Sequence, residues 1–212
     1  MKNITLKRWL LYFVGILILC FGLIMNQKSN LGVSPIISVS YVAHEITGIT
    51  YGDTTFVWYF ILVIAEYILL KDWKVFLQLP FSIVFTRFMN LFSTLINITP
   101  TNLFSQLVVL LIGIICTGIG ASITLNMEIV PNPGDGIVDA VAQTIHKEMG
   151  LTKNIFDCCC FIATIIIGFI FNKPFSGIGL GTILAVLLVG RVIAIYNHFF
   201  LEKMRKFASI QK

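Results

Sequence analysis

Residues 104 to 125, FSQLVVLLIGIICTGIGASITL, run for 22 positions without a charged side chain. A helix of that length rises about 33 Å, enough to cross a hydrocarbon core about 30 Å thick. Further long apolar runs occupy residues 9–25, 55–70, 76–95, 155–171 and 178–200. Only 12% of the chain is charged against 57% hydrophobic, and the mean hydropathy is +0.92, well outside the range of soluble globular proteins. The pattern predicts an all-α polytopic membrane protein, one membrane domain over residues 1–212 with the lipid bilayer as its first partner.

The run from Trp9 to Met25 follows Lys2, Lys7 and Arg8 and has the outline of a secretory signal. The residues after it, Asn26, Gln27 and Lys28, offer no small-residue cleavage site, so a retained first helix is expected. The five cysteines, Cys20, Cys116 and the run Cys158 to Cys160, all lie in apolar stretches, where a thiol acts as a small hydrophobe. Neither a disulfide framework nor a metal site is expected from them.

Two shorter segments, about 34 to 47 and 135 to 148, break the pattern. Fourteen helical residues reach only about 21 Å and cannot span the core alone, so re-entrant or half-helices buried in the bundle are expected. Their surroundings also repeat. SNLGVSPIISVSYVAHEITGIT (29–50) can be laid over VPNPGDGIVDAVAQTIHKEMGLT (130–152), with Asn30 on Asn132, Gly32 on Gly134, His44 on His146 and Gly48 on Gly150. With small gaps, Gly15 and Gly22 fall on Gly113 and Gly120, Lys71 on Lys173, and Arg87 on Arg191. This common order predicts two repeat units, 1–100 and 101–212, each a long span, a short segment and two long spans.

Charge decides the number of crossings. If both short segments span, Lys28, Lys71, Lys74 and Lys173 lie outside; if both turn back, only Lys28 and Lys173 do. The positive-inside rule prefers the second case: about six transmembrane helices plus two half-helices, with both termini cytoplasmic. The units then begin from opposite faces. Such inverted repeats recur in secondary transporters, whose substrate sites lie at the midplane among discontinuous helices. Cytoplasmic loops and the basic tail LEKMRKFASIQK account for the net charge of +5, and nucleic acid is not invoked.

Asn132-Pro133-Gly134-Asp135-Gly136 has helix-start chemistry, with Asp135 expected to cap the first free amides. Such an end attracts an anion, whereas Asp135 and Asp139, four apart on one face, favour a cation, a proton or a basic substrate. The matching stretch Asn30 to Pro35 carries no carboxylate. Arg87 and Arg191 fall midway along their spans, where arginine costs about 2.5–3.5 kcal/mol on insertion scales unless it faces a polar interior. They point to a central site, with Asp157 or Asp139 as alternative structural partners. His44 and His146 are candidate proton relays or polar helix caps. Glu66, one turn from Lys71, reads as half of an interfacial ion pair. Gly177 to Thr182, GIGLGT, has neither strand nor lysine around it, so close helix packing is expected there in place of a phosphate loop.

On NLGVSP (30–35), PNPGDGIVDA (131–140) and GIGLGT (177–182), the chain resembles the YitT/YczE-type bacterial membrane proteins. The resemblance covers most of the chain and implies a small multi-spanning protein of the bacterial cytoplasmic membrane. It brings no substrate or reaction with it. The expected function is a secondary transporter or exporter of a small polar or charged solute, its site lined by Arg87, Arg191, Asp135, Asp139, Asn132 and Asn30. A non-transporting regulator or scaffold and a small-solute channel are the alternatives, and association of two copies is left open. No set of residues has the context that catalysis requires, so neither an enzyme nor a cofactor is expected.

Overall fold

The computed structural model describes residues 5–209, which form eight α-helices and no strand. They are α1 (Leu6–Lys28), α2 (Pro35–Thr47), α3 (Tyr51–Leu70), α4 (Gln78–Leu95), α5 (Leu103–Asn126), α6 (Pro133–Ile145), α7 (Met149–Ile170) and α8 (Leu180–Phe207), with a 3-10 turn over Trp73–Leu77 leading into α4. Six of these segments are long and apolar enough to cross a membrane, and α2 and α6 are not. At 13 residues each, the short helices rise about 20 Å.

Local chemistry sets the ends. Thr50 and Asn102 cap α3 and α5 through their side chains, Asn102 within a reciprocal box with Ser105. Pro35 and Pro133 occupy first helical positions, where a missing N–H costs nothing. Left-handed residues stop both half-helices, Gly48 at φ 72° and His146 at φ 53°. Two expectations need correction. The second half-helix runs over 133–145, displaced from 135–148, because Asn132 and not Asp135 is its cap: the Asn132 side chain accepts from the Gly134 amide at 3.0 Å, and Asp135 sits inside the first turn.

The register of the two halves also differs from the alignment of residues 29–50 on 130–152. Asn132 follows Ser34 as helix cap by 98 positions, Pro133 follows Pro35 by 98, and His146 follows Gly48 as left-handed stop by 98. The ends of α1 and α5, Lys28 and Asn126, keep the same interval. So do Asn30 and Glu128, both at positive φ. Laying Asn30 on Asn132 and His44 on His146 is therefore one helical turn out. Four residues is nearly the helical period, so apolar positions still coincide when the alignment slips by a turn.

The core is built on α1 and α5, which cross with backbones nearly touching. A Cβ at Gly15 would lie 2.9 Å from Thr124, one at Gly120 would lie 2.7 Å from the Leu19 Cα, one at Gly22 would lie 2.6 Å from the Thr117 hydroxyl, and one at Gly113 would lie 2.8 Å from the Asn26 nitrogen. As the α1 residue number rises through 15, 19, 22 and 26, its partner falls through 124, 120, 117 and 113, so the two helices are antiparallel. Around this pair α4 packs on α1 and α8 on α5, while α2 packs on α7 and α6 on α3.

The chain ends share one face. The Thr5 hydroxyl donates to the Ala208 carbonyl at 3.0 Å, and Trp9 stacks on Phe81 near the start of α4. At the other face, the turn after α1 is tied to the start of α8: Val33 N–H donates to Gly177 at 2.9 Å and Gly181 N–H to Leu31 at 2.6 Å. Close packing, as expected, is the role of GIGLGT, since a Cβ at Gly181 would lie 2.8 Å from the Leu31 carbonyl.

Candidate functional site

The two half-helices begin where they meet. The Trp58 indole of α3 donates to the Ile36 carbonyl at 2.7 Å, which sets the first turn of α2 level with the middle of α3. A Cβ at Gly134, in the first turn of α6, would lie 3.3 Å from Ile36. Both N-termini therefore lie deep in the bundle, where backbone amides need a protein partner or a polar cavity.

Such a cavity exists. It has a volume of about 430 Å³ and takes Ser34 and Pro35 from α2 and its cap, Asn132, Gly134 and Asp135 from α6 and its cap, and Lys153, Asn154 and Asp157 from α7. Asn26 of α1, Tyr59 of α3 and Thr117 of α5 complete the polar lining, and Leu19, Leu23, Ala185, Val186 and Val189 form apolar wall. The cavity holds α7 and α8 apart, whereas α3 and α4 pack along their length. A smaller space of about 30 Å³ lies among α1, α4, the end of α5 and the start of α6, with Tyr59 its contribution from α3 and Tyr12, Gln78, Ser82, Asn132 and Asp135 in its lining. That is room for little more than a water or two. Asn132 and Asp135 border both spaces.

The electrostatics centre on α7. The Lys153 ammonium lies 3.7 Å from an Asp135 oxygen, and that aspartate, in the first turn of α6, also answers the positive end of its helix. Asp157 is only 8% exposed, and its Oδ1 is buried without a hydrogen-bond partner among the described residues. Asn26 is 1% exposed; its amide donates to the Thr117 hydroxyl at 3.3 Å, while its Oδ1 accepts from no described group. A buried polar atom without a partner is expensive, and of these two, Asn26 Oδ1 is packed against Gly113 of α5.

The remaining expected site residues lie elsewhere. Arg87 is 66% exposed and pairs with Asp53 at 2.9 Å, an acid at the start of α3, and not with Asp157 or Asp139. The helix explains this: α4 turns Ser82, Phe85, Thr86 and Met89 to the core, and Arg87 points about 100° away from Thr86. Arg191 is exposed, with no ionic partner among the described residues, one position from cavity-lining Gly190. Asp139 is exposed and accepts from Gln143 at 2.8 Å. Asn30 lines a separate space of about 220 Å³ beside Gln27, Tyr41 and Ser176. His44 stands at the end of α2 beside Tyr41 and Tyr51, and His146 is exposed at the end of α6. Neither histidine reaches the central cavity.

Glu66 is likewise corrected. It is 4% exposed and accepts from the Gln78 amide at 2.8 and 3.0 Å, in place of pairing with Lys71. Gly136 lets α6 approach it, since a Cβ there would lie 2.7 Å from the Glu66 carboxylate.

Asp157, Lys153, Asn154, Asn26, Ser34 and Tyr59 were not among the expected lining residues. A signal for Asp157 exists in the sequence: it is an acid within an apolar run, and the cost argument that singled out the arginines applies equally to it. At the 98-residue interval its counterpart is Tyr59, another lining residue.

The chain matches the model of a family of unknown function, DUF6198, over residues 6–198. It is similar to the uncharacterized protein YyaS of Bacillus subtilis, 24% identical over 205 residues, covering 94% of this chain and 98% of YyaS. It is also similar to the uncharacterized membrane protein YczE of the same organism, 22% identical over 194 residues, covering 91% of this chain and 86% of YczE. An uncharacterized protein of Haemophilus influenzae is 28% identical over 114 residues, covering 54% of this chain and 49% of that protein. No solved structure matches the chain. Six membrane-length apolar helices and a family match over nearly the whole chain lead to one conclusion: this membrane protein belongs to the DUF6198 family, a YczE-type family.

Proposed function

We propose that the protein is a secondary transporter of the bacterial cytoplasmic membrane, built as two inverted repeats and exposing a central site alternately to the two faces. One observation carries the reading: two half-helix starts converge on a largely apolar cavity edged by Ser34, Asn132, Asp135, Lys153 and Asp157, which lies between α7 and α8, while the corresponding pair α3 and α4 is packed together. Interchanging the halves would close the first gap and open the second, with Asn132 and Asp135 bordering the space in both states. The antiparallel crossing of α1 and α5 and the exchanged packing of α2 on α7 and α6 on α3 support the inverted plan. The shared face of the chain ends also carries Lys7, Arg8, Lys203, Arg205 and Lys206, which supports a cytoplasmic location for both termini.

Thiol accessibility tests the alternation. Ala121 lines the cavity, and an Ala121→Cys variant, with the five native cysteines replaced by alanine, is reconstituted into vesicles. A membrane-impermeant maleimide is expected to modify it from either face. Modification from one face alone, or from neither, would leave a static scaffold and overturn the transport reading.

A further inference from the structure

Resting on that transport reading, we propose that the solute is a monovalent organic cation: a protonated amine with N–H groups to donate and an apolar body. Among the cavity-lining residues, the carboxylate oxygen Asp157 Oδ1 is buried without a partner, whereas Asn26 Oδ1 is turned to Gly113 in the α1–α5 seam. The group that completes Asp157 must donate. By formal charge, two carboxylates, Asp135 and Asp157, face one ammonium, Lys153, so the lining carries one negative charge in excess. Lys153 lies 3.7 Å from Asp135 and one turn before Asp157 on α7, so a single ammonium is shared between the two carboxylates.

The rest of the lining narrows the class. A bare inorganic ion needs a tight shell of oxygens, but this space of about 430 Å³ is walled by Leu19, Leu23, Val186 and Val189. No group of three or more acidic, histidine or cysteine side chains able to hold a metal occurs among the described residues. An anion would find the start of α6 already occupied by its own Asp135, and both intramembrane arginines outside the cavity. An ammonium head at Asp157 with a hydrocarbon or aryl body along the apolar wall satisfies these features.

Calorimetry on the purified full chain in detergent tests this with two probes of similar shape, phenethylammonium and 3-phenylpropanoate. The amine is expected to bind and the carboxylate not. Asp157→Asn should weaken the amine at least about tenfold, Lys153→Gln should tighten it by removing a competing cation, and Asp72→Asn, on an exposed loop, should leave it unchanged. The Lys153 variant keeps the test decisive if Asp157→Asn fails to fold, because its side chain is 44% exposed. Binding of the carboxylate in preference, absence of amine binding, or amine binding indifferent to both α7 substitutions would overturn the cation assignment. Flux of both probes in vesicles separates the two proposals. Carboxylate flux without amine flux sinks the cation but keeps the transporter, and amine binding without amine flux keeps the cation but sinks the transporter.

Discussion

Replacing Arg8 with leucine is expected to lower the stability of the folded protein by about 3 kcal/mol or more, the sum of two charge-assisted hydrogen bonds at roughly 1.5–3 kcal/mol each. Arg8 is 4% exposed. Its guanidinium donates to the Met127 carbonyl and, at 2.7 Å, to the Glu128 carbonyl, with the Glu128 carboxylate 3.9 Å away. It thus answers the negative end of α5 with a cation from the start of α1, joining the two central helices at a second point beyond their crossing. Leucine would fill part of the space and leave those carbonyls without that partner. Thermal unfolding in detergent checks the effect. Lys7→Leu, an exposed neighbour, should change stability by no more than about 0.5 kcal/mol. Wild-type melting of the Arg8 variant would show that the arginine is only a topology signal.

The second large effect is expected at the crossing itself. Gly120→Leu cannot be accommodated, because even the first side-chain carbon would lie 2.7 Å from the Leu19 Cα, a backbone atom that has nowhere to go. Gly120→Ala should cost about 1–3 kcal/mol as an overpacked contact, and leucine enough to prevent recovery of a monodisperse protein by size-exclusion chromatography. Gly190→Ala is the opposite case. Nothing lies within 4 Å of its would-be Cβ, so replacing glycine within α8 should stabilise by about 0.5–1 kcal/mol. Equal behaviour of the two alanine variants would contradict the tight crossing.

Apolar length and helix punctuation explain why the six spans and two half-helices could be read from the sequence: a 22-residue uncharged run admits one solution in a bilayer, and Pro35, Pro133 and Gly48 mark ends by backbone chemistry alone. The site was less legible. Asn132 and Asp135 belong to a recognisable helix start, and they do line the cavity. Arg87 is level with the start of α3, where Asp53 answers it, and turned out of the core, since which side of α4 turns inward depends on how Cys20 of α1 meets Phe85, a tertiary contact. Arg8 stands in the sequence as one of the basic residues before the first apolar run, and only the folded arrangement brings it to α5. Asp157 was in view only as a partner for the arginines. Its burial beside the cavity follows from α7 being held by α2 and α6 and parted from α8, which no local pattern encodes.

The glycine crossing restricts how the molecule can move. With Gly15, Gly22, Gly113 and Gly120 each facing a specific partner, sliding α1 along α5 by a turn would drive side chains into backbone. Translation along that axis is blocked. The remaining degrees of freedom are tilts of the outer helices about a fixed spine, and both cavities border that spine through Leu19. In the proposed transport cycle a change of state would be a rocking motion that unpacks α3 from α4, with the central pair as the frame against which it is measured.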